Sequence, residues 1–143
     1  MEFISNSREE TANIAEKIAK DIKSGDIVCL NGDLGAGKTA FTSGFARGLG
    51  YKGYVQSPTF ALINEYRGDI MIYHFDVYRI DECDEMYDIG IDDYLFGDGV
   101  CIIEWAERIS GLLPENVINV DIEKDESLGE NFRRIIVRGG DIK

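Results

Sequence analysis

The stretch IVCLNGDLGAGKT, residues 27–39, decides the fold. Its first four residues are a short, continuous apolar run, which is typical of a strand buried on both faces of an α/β sheet. The last eight residues match the pattern GxxxxGK[ST] in full. Apolar residues then recur every four positions from Phe41 to Leu49, which predicts a helix from Lys38 to about Gly48. Strand, loop and helix together predict a phosphate-binding loop.

The residue types of this loop suit the phosphates of ATP. Glycines let backbone N–H groups turn inward around an anion, and the N-terminus of the following helix adds the positive end of its dipole. We expect Lys38 to neutralise the β- and γ-phosphates and the Thr39 hydroxyl to ligate Mg²⁺. The expected nucleotide contacts of the loop are Asp33, Leu34, Gly35, Ala36, Gly37, Lys38, Thr39 and Ala40.

The rest of the chain fits an α/β fold of the P-loop NTPase type, with one domain over residues 1–143 and a mixed sheet flanked by helices. Ser7 and Glu10 form a capping box before isoleucines spaced four apart, which predicts an amphipathic helix over residues 8–23. Further predicted elements are a hairpin of residues 59–66 and 70–76, an acidic helical stretch at 82–95, a buried strand at 100–104, and a closing hairpin of 117–122 and 133–137.

The charge of the chain is strongly negative, since 27 acidic and 15 basic residues leave a formal net charge of −12. Such a surface repels nucleic acids and anionic membranes. Residues 81–98 hold eight acidic residues and no lysine or arginine. This run is either a solvated face or a docking surface for a basic partner.

No apolar stretch approaches the roughly 18 residues of a membrane span, and residues 1–23 lack the pattern of a signal peptide. A cytoplasmic protein is expected. The three cysteines have no CxxC spacing, and Cys29 and Cys101 lie inside apolar runs, so we expect reduced core residues.

Two carboxylates follow predicted strands. Glu104 ends the buried strand where P-loop folds place an acid that holds magnesium or orients the attacking water, although on position alone an acid at a strand end is more often only solvent-exposed. Asp76 ends the hairpin strand and is a second candidate for the magnesium or water shell. His74 shares its face, and we interpret this histidine as a structural hydrogen-bonding residue.

Two other positions allow two interpretations each. Thr59 follows a proline and is either a switch threonine that senses the γ-phosphate or a plain strand start. Trp105, the only tryptophan, is by default a core or subunit-contact residue.

Five motifs together resemble the bacterial TsaE (YjeE) family, the ATPase subunit of tRNA threonylcarbamoyladenosine biosynthesis. They are GDLGAGKT (32–39), SPTF (57–60), HFDVYR (74–79), GIDDY (90–94) and IEW (103–105). The resemblance covers about residues 7–134. The chain departs from it at Ala106, where members often carry proline, and at Ala40, which replaces a frequent second threonine.

The resemblance implies that Lys38, Thr39 and Glu104 serve ATP and magnesium, and that Asp76 and Trp105 are needed for turnover or its coupling. It also implies adenine contacts at Thr11 and Arg133. The implied partners are the TsaD and TsaB proteins, which transfer threonylcarbamoyl to adenosine 37 of ANN-decoding tRNAs, so that tRNA is reached only through the complex.

Two alternatives stay open. A small-molecule kinase would need arginines in a lid, and the middle of the chain offers only Arg67 and Arg79. A nucleotide-gated scaffold would use ATP binding as a switch and hydrolysis as a slow reset. The absence of an NKxD sequence counts against a GTPase.

Overall fold

The computed structural model describes residues 1–33, 35–58, 62–81 and 83–139. Seven strands occur in these residues: β1 (Glu2–Ser5), β2 (Ile27–Asn31), β3 (Ile63–Arg67), β4 (Met71–Asp76), β5 (Val100–Glu104), β6 (Ile118–Lys124) and β7 (Arg133–Arg138). The α-helices are α1 (Arg8–Ala19), α2 (Lys38–Gly48) and α3 (Ile91–Leu95). Short 3₁₀ helices span Cys83–Ile89, Ala106–Leu112 and Glu126–Leu128.

The strands form one mixed sheet in the order β1-β7-β6-β2-β5-β4-β3. β2 lies at its centre and runs parallel to β5 and β6, and β4 runs parallel to β5. The pairs β3–β4 and β6–β7 are antiparallel hairpins, as the sequence predicts. Strand β1, which no sequence pattern predicted, pairs antiparallel with β7 and lies at one edge of the sheet.

The core lies on both faces of the sheet. Val28 and Leu30 of β2 pack on the side of α1 and α2, whereas Ile27 and Cys29 pack on the side of α3. This alternation confirms that β2 is buried on both faces. The thiols of Cys29 and Cys101 are free, and burial raises the pKa of Cys29 to about 11 and of Cys101 to about 12.

The first helix begins where the sequence predicts, because the Glu10 amide donates to Ser7 Oγ at 3.0 Å. Its predicted end at residue 23 is wrong, since α1 ends at Ala19 with Lys20 as its C-cap. The amides of Asp21 and Ile22 donate to the carbonyls of Ile18 and Ala19, only three residues back. The chain therefore tightens after α1 and turns towards β2.

Helices α1 and α2 pack closely at Gly44. A Cβ atom at this position would lie 1.9 Å from the carbonyl oxygen of Ala12, so only glycine allows the approach. The contact places the first turn of α1 beside the phosphate loop, because that loop leads directly into α2.

The acidic stretch is helical, as predicted, but it is divided into two elements. Residues Cys83–Ile89 form a 3₁₀ helix, and α3 follows after Gly90, whose φ of 74° turns the chain. The strand predicted from residue 59 begins at Ile63, and residues 59–61 lie outside the described part. Across the described ranges, no helix combines the length and apolar character needed to cross a bilayer.

Candidate functional site

The phosphate loop lies between β2 and α2 as predicted. Gly35 and Gly37 have φ values of 77° and 105°, a conformation that glycine adopts without strain. Gly37 is also the N-cap of α2 and has no side chain with which to cap the helix. The first-turn amides of α2 therefore face the loop without a side-chain cap, which suits the binding of an anion.

A cavity of about 640 Å³ lies over this loop. Its volume falls in the range of small-molecule sites. It brings together most of the predicted site residues, which come from five separate segments: Thr11, Gly35, Ala36, Gly37, Lys38, Thr39, Ala40, Asp76, Glu104, Trp105 and Arg133. Asp33 does not line it and instead borders two smaller pockets beside the loop. Leu34 and Thr59 lie outside the described residues.

The two candidate carboxylates end neighbouring strands at the same level. Asp76 on β4 is the register partner of Glu104 on β5, and Glu104 is also the partner of Leu30 on β2. The parallel pairing therefore brings both acids to the edge of the sheet that carries the phosphate loop. The Asp76 carboxylate accepts a hydrogen bond from the Tyr78 amide at 3.0 Å.

Glu104 is almost fully buried, at 4% exposure, so it is not the solvent-exposed strand end of the alternative interpretation. Its Oε1 atom lies 3.7 Å from Nζ of Lys38, which is 8% exposed. Its Oε2 atom lies 2.6 Å from Nε2 of His74. A buried carboxylate requires such partners, and here they come from α2 and β4.

Trp105 turns its ring towards Lys38, whose Nζ lies 4.5 Å from the ring centroid. The backbone φ of Trp105 is 63°, a left-handed conformation that is unusual for a residue other than glycine. The indole also packs against Tyr78, with ring centroids 4.8 Å apart, and the Arg108 guanidinium lies 4.9 Å from that tyrosine ring. Trp105 thus forms part of the cavity wall as well as packing against the core.

His74 is a buried hydrogen-bonding residue, as interpreted from the sequence, but its partner is a candidate catalytic group. Its Nδ1 atom lies 2.9 Å from the Tyr66 hydroxyl, opposite the contact with Glu104. The alternation in β4 placed His74 and Asp76 on one face. No sequence signal identified Glu104, thirty residues away, as the partner of His74.

Arg133 reaches the phosphate loop from β7. Its Nε donates to the Ala36 carbonyl at 2.8 Å and its Nη2 to the Gly35 carbonyl at 3.2 Å. Thr11 is buried, with Oγ1 2.7 Å from Ser5 Oγ. Adenine contacts of Arg133 and Thr11 stay a prediction. Beyond the predicted set, the cavity is lined by Ser7, Arg8, Ser57, Tyr78, Arg79 and Asn131.

The predicted metal and water-shell residues of the cavity suit magnesium rather than a softer metal, because they offer the Thr39 hydroxyl and the carboxylates of Asp76 and Glu104. Among the residues described, no group of three or more His, Cys, Asp or Glu side chains could hold a metal ion. A magnesium ion at this site would therefore take further ligands from the phosphates and from water.

Comparison with known proteins identifies relatives of this chain. Residues 5–135 match the family model of the threonylcarbamoyl adenosine biosynthesis protein TsaE. The chain is similar to the tRNA threonylcarbamoyladenosine biosynthesis proteins TsaE of Bacillus subtilis and Treponema pallidum. The B. subtilis protein is 49% identical to this chain, over 89% of this chain and 78% of its own length. The T. pallidum protein is 39% identical, over 85% of this chain and 90% of its own length.

A solved structure also resembles the chain. The crystal structure of Bacillus subtilis YdiB superposes with a TM-score of 0.82 at 39% sequence identity, covering 99% of this chain and 86% of the other. This likeness agrees with the P-loop fold expected from residues 27–39. Because the family model matches residues 5–135, the chain belongs to the TsaE family.

Proposed function

We propose that this protein binds and hydrolyses ATP with Mg²⁺, as the ATPase subunit of tRNA N6-threonylcarbamoyladenosine biosynthesis. The observation that carries the proposal is the meeting of Lys38 and Glu104, 3.7 Å apart, over a phosphate loop with uncapped helix amides. Positioning and charge neutralisation are the main requirements of phosphoryl transfer to water, and this site offers both.

Binding would begin with the phosphates. The amides of the loop and of the first turn of α2 would surround the β- and γ-phosphates, and Lys38 would turn from Glu104 to the anion. Arg133 supports this role indirectly, because it holds the carbonyls of Gly35 and Ala36 from outside the loop. The adenine would extend towards Thr11 at the α1 end of the cavity.

Thr39 and Glu104 would hold the magnesium ion, with Asp76 beside them. When bound, the ion supplies positive charge to the phosphate oxygens and so stabilises the charge that develops during transfer. Glu104, held by His74, would orient a water molecule towards the γ-phosphate. The oxygen of that water bonds to phosphorus as the bond to the bridging β–γ oxygen breaks, giving ADP and phosphate.

The pathway role follows from the family, and the proposed partners are the TsaD and TsaB proteins. Contact with tRNA would come only through them, since the chain carries a net charge of −12. Two arginines of the basic cluster near the end of the chain are already paired: Arg134 with Glu2 at 2.8 Å, and Arg138 with Asp121 at 3.3 Å. The acidic residues 81–98 would attract a basic partner.

Phosphate release tests the catalytic proposal. We expect the protein to release phosphate from ATP in the presence of Mg²⁺. The release should stop when EDTA removes the ion, and its rate should not depend on added small-molecule acceptors. Phosphate transfer to an acceptor would instead indicate a kinase. A nonhydrolysable ATP analogue that fully supports tRNA modification would indicate a scaffold.

An anisotropy titration with tRNA tests the partner proposal. We expect no appreciable binding by the protein alone and binding when TsaB and TsaD are present. Tight, salt-sensitive binding by the protein alone would overturn it. If charge reversal within residues 81–98 leaves complex formation unchanged, the acidic run is not part of the interface.

A further inference from the structure

We propose that Tyr66 and His74 are positioning residues that hold the Glu104 carboxylate and join it to the chain at Gln56. This inference rests on the proposed ATPase function and assigns two residues to the same site. We call the pair the Tyr66–His74 bridge.

The bridge is a continuous line of polar contacts that is buried at His74 and Glu104 and partly buried at Gln56. The Tyr66 hydroxyl donates to the Gln56 carbonyl at 2.8 Å and lies 2.9 Å from His74 Nδ1. On the other side of the ring, His74 Nε2 lies 2.6 Å from Glu104 Oε2. Tyr66 is 3% and His74 0% exposed, so water does not compete for the two contacts of the His74 ring, whereas the Gln56 end of the line is only partly buried.

The two oxygens of Glu104 have different partners, and this difference gives the bridge its role. Oε1 faces Lys38 at 3.7 Å, whereas Oε2 faces His74. A nucleotide that draws Lys38 to its phosphates removes the first partner. His74 then remains to hold the carboxylate, and Tyr66 fixes the rotation of the imidazole ring through the opposite nitrogen.

The far end of the bridge reaches the cavity wall. The Gln56 carbonyl also accepts a hydrogen bond from Asn64 Nδ2 at 3.0 Å, so two side chains of β3 hold this one carbonyl. The next residue, Ser57, lines the same cavity as Glu104. A displacement of the chain at Gln56 would therefore be transmitted to the Glu104 carboxylate.

Two tyrosine hydroxyls allow a matched test. Tyr66→Phe removes the hydroxyl of the bridge but keeps the ring that packs on Tyr51 at 4.9 Å. Tyr51→Phe removes a hydroxyl that donates to the Tyr54 carbonyl at 3.1 Å, in the same region but away from His74. We expect Tyr66→Phe to lower kcat for ATP about tenfold with KM unchanged. Tyr51→Phe should keep the wild-type kcat.

His74 provides a second readout that needs no activity, because it is the only histidine in the chain. Its imidazole ¹⁵N signals can be assigned without ambiguity. We expect the Nδ1 signal to shift in Tyr66→Phe and the Nε2 signal to shift in Glu104→Ala, and neither to shift in Tyr51→Phe. His74→Gln, which keeps an N–H group, should retain more kcat than His74→Ala.

The outcomes separate the two proposals. If the wild-type protein releases phosphate and Tyr66→Phe does so at the same rate, the bridge is overturned and the ATPase stands. If the wild-type protein releases no phosphate, the ATPase proposal fails. The Tyr66–His74 bridge is then tested by the imidazole ¹⁵N signals alone, and an Nδ1 signal that does not shift in Tyr66→Phe would overturn it. If Tyr66→Phe does not fold, the comparison of His74→Gln with His74→Ala decides, and equal kcat values would overturn the bridge.

Discussion

The ammonium group of Lys38 and the carboxylate of Glu104 lie 3.7 Å apart, and both side chains are almost completely buried. Each charge is thus compensated by the other where water is scarce. The indole ring of Trp105 covers the same ammonium group at 4.5 Å. A bound triphosphate would offer Lys38 stronger partners, so this contact is the one that nucleotide binding should change.

Replacing Lys38 with alanine should reduce phosphate release from ATP by at least about 100-fold, because a preorganised cation at the phosphates is lost. Phosphate release is measured under saturating ATP and Mg²⁺. Lys17→Ala, an exposed lysine in the last turn of α1, is the control and should behave as the wild type. Wild-type turnover in Lys38→Ala would show that the phosphate loop is not the catalytic site.

Glu104→Ala should lower kcat by about 100-fold, in the range expected for loss of a group that acts on the attacking water. The affinity for ADP should change much less, since the phosphates are held mainly by the loop and Lys38. Steady-state kinetics and an ADP titration measure the two quantities separately. Glu115→Ala removes an exposed carboxylate as a control. Equal losses of affinity and turnover would make Glu104 a structural residue.

The fluorescence of Trp105 should report nucleotide binding without any label, because it is the only tryptophan and it contacts Lys38. We expect the emission to change and saturate on titration with ADP or ATP. The same titration of Lys38→Ala should give a smaller change, since the moving cation is absent. An emission spectrum that is identical at zero and saturating nucleotide would place the indole outside the site.

Gly44→Ala should destabilise the fold. Its Cβ would lie 1.9 Å from the Ala12 carbonyl oxygen, and α1 would have to move away from α2. Overpacking of this kind costs about 1–3 kcal/mol, and a clash with backbone should reach the upper end. Gly111→Ala is the control, since no atom lies within 4 Å of its added Cβ. Urea unfolding measures both variants, and equal stabilities would show that the helices do not approach so closely.

The buried thiols should weaken the fold in alkaline solution. Burial raises the pKa of Cys29 from 9.0 to about 11 and that of Cys101 to about 12. Above pH 9 the unfolded chain therefore releases thiol protons that the native protein still holds, so the stability falls as pH rises. The expected slope is about 1.4 kcal/mol per pH unit for each thiol.

Urea unfolding at several pH values from neutral to about 10.5 measures this slope. The double variant Cys29→Ala, Cys101→Ala should be less stable at neutral pH because of the cavities it leaves, but its stability should fall less steeply above pH 9. Parallel curves for the variant and the wild type would mean that other groups cause the alkaline loss.

The sequence determined the parts of this protein that depend on neighbours along the chain. The apolar run of residues 27–30, the glycines of the loop and the spacing from Phe41 to Leu49 predict β2, the phosphate loop and α2 because strand burial, positive φ and helical periodicity are local properties. Both hairpins follow for the same reason. The C-terminal end of α1 was misplaced and the break of the acidic stretch at Gly90 was not predicted, since tight turns there depend on packing rather than on periodicity.

The tertiary structure alone decided which of these residues meet. The contact of His74 with Glu104 joins two strands, and Arg133 reaches Gly35 and Ala36 from almost a hundred residues away. Edge strand β1 likewise depends on its partner β7. A hydrogen bond between distant residues leaves no periodic pattern in either segment, because its geometry is set by strand register and helix packing across the whole sheet.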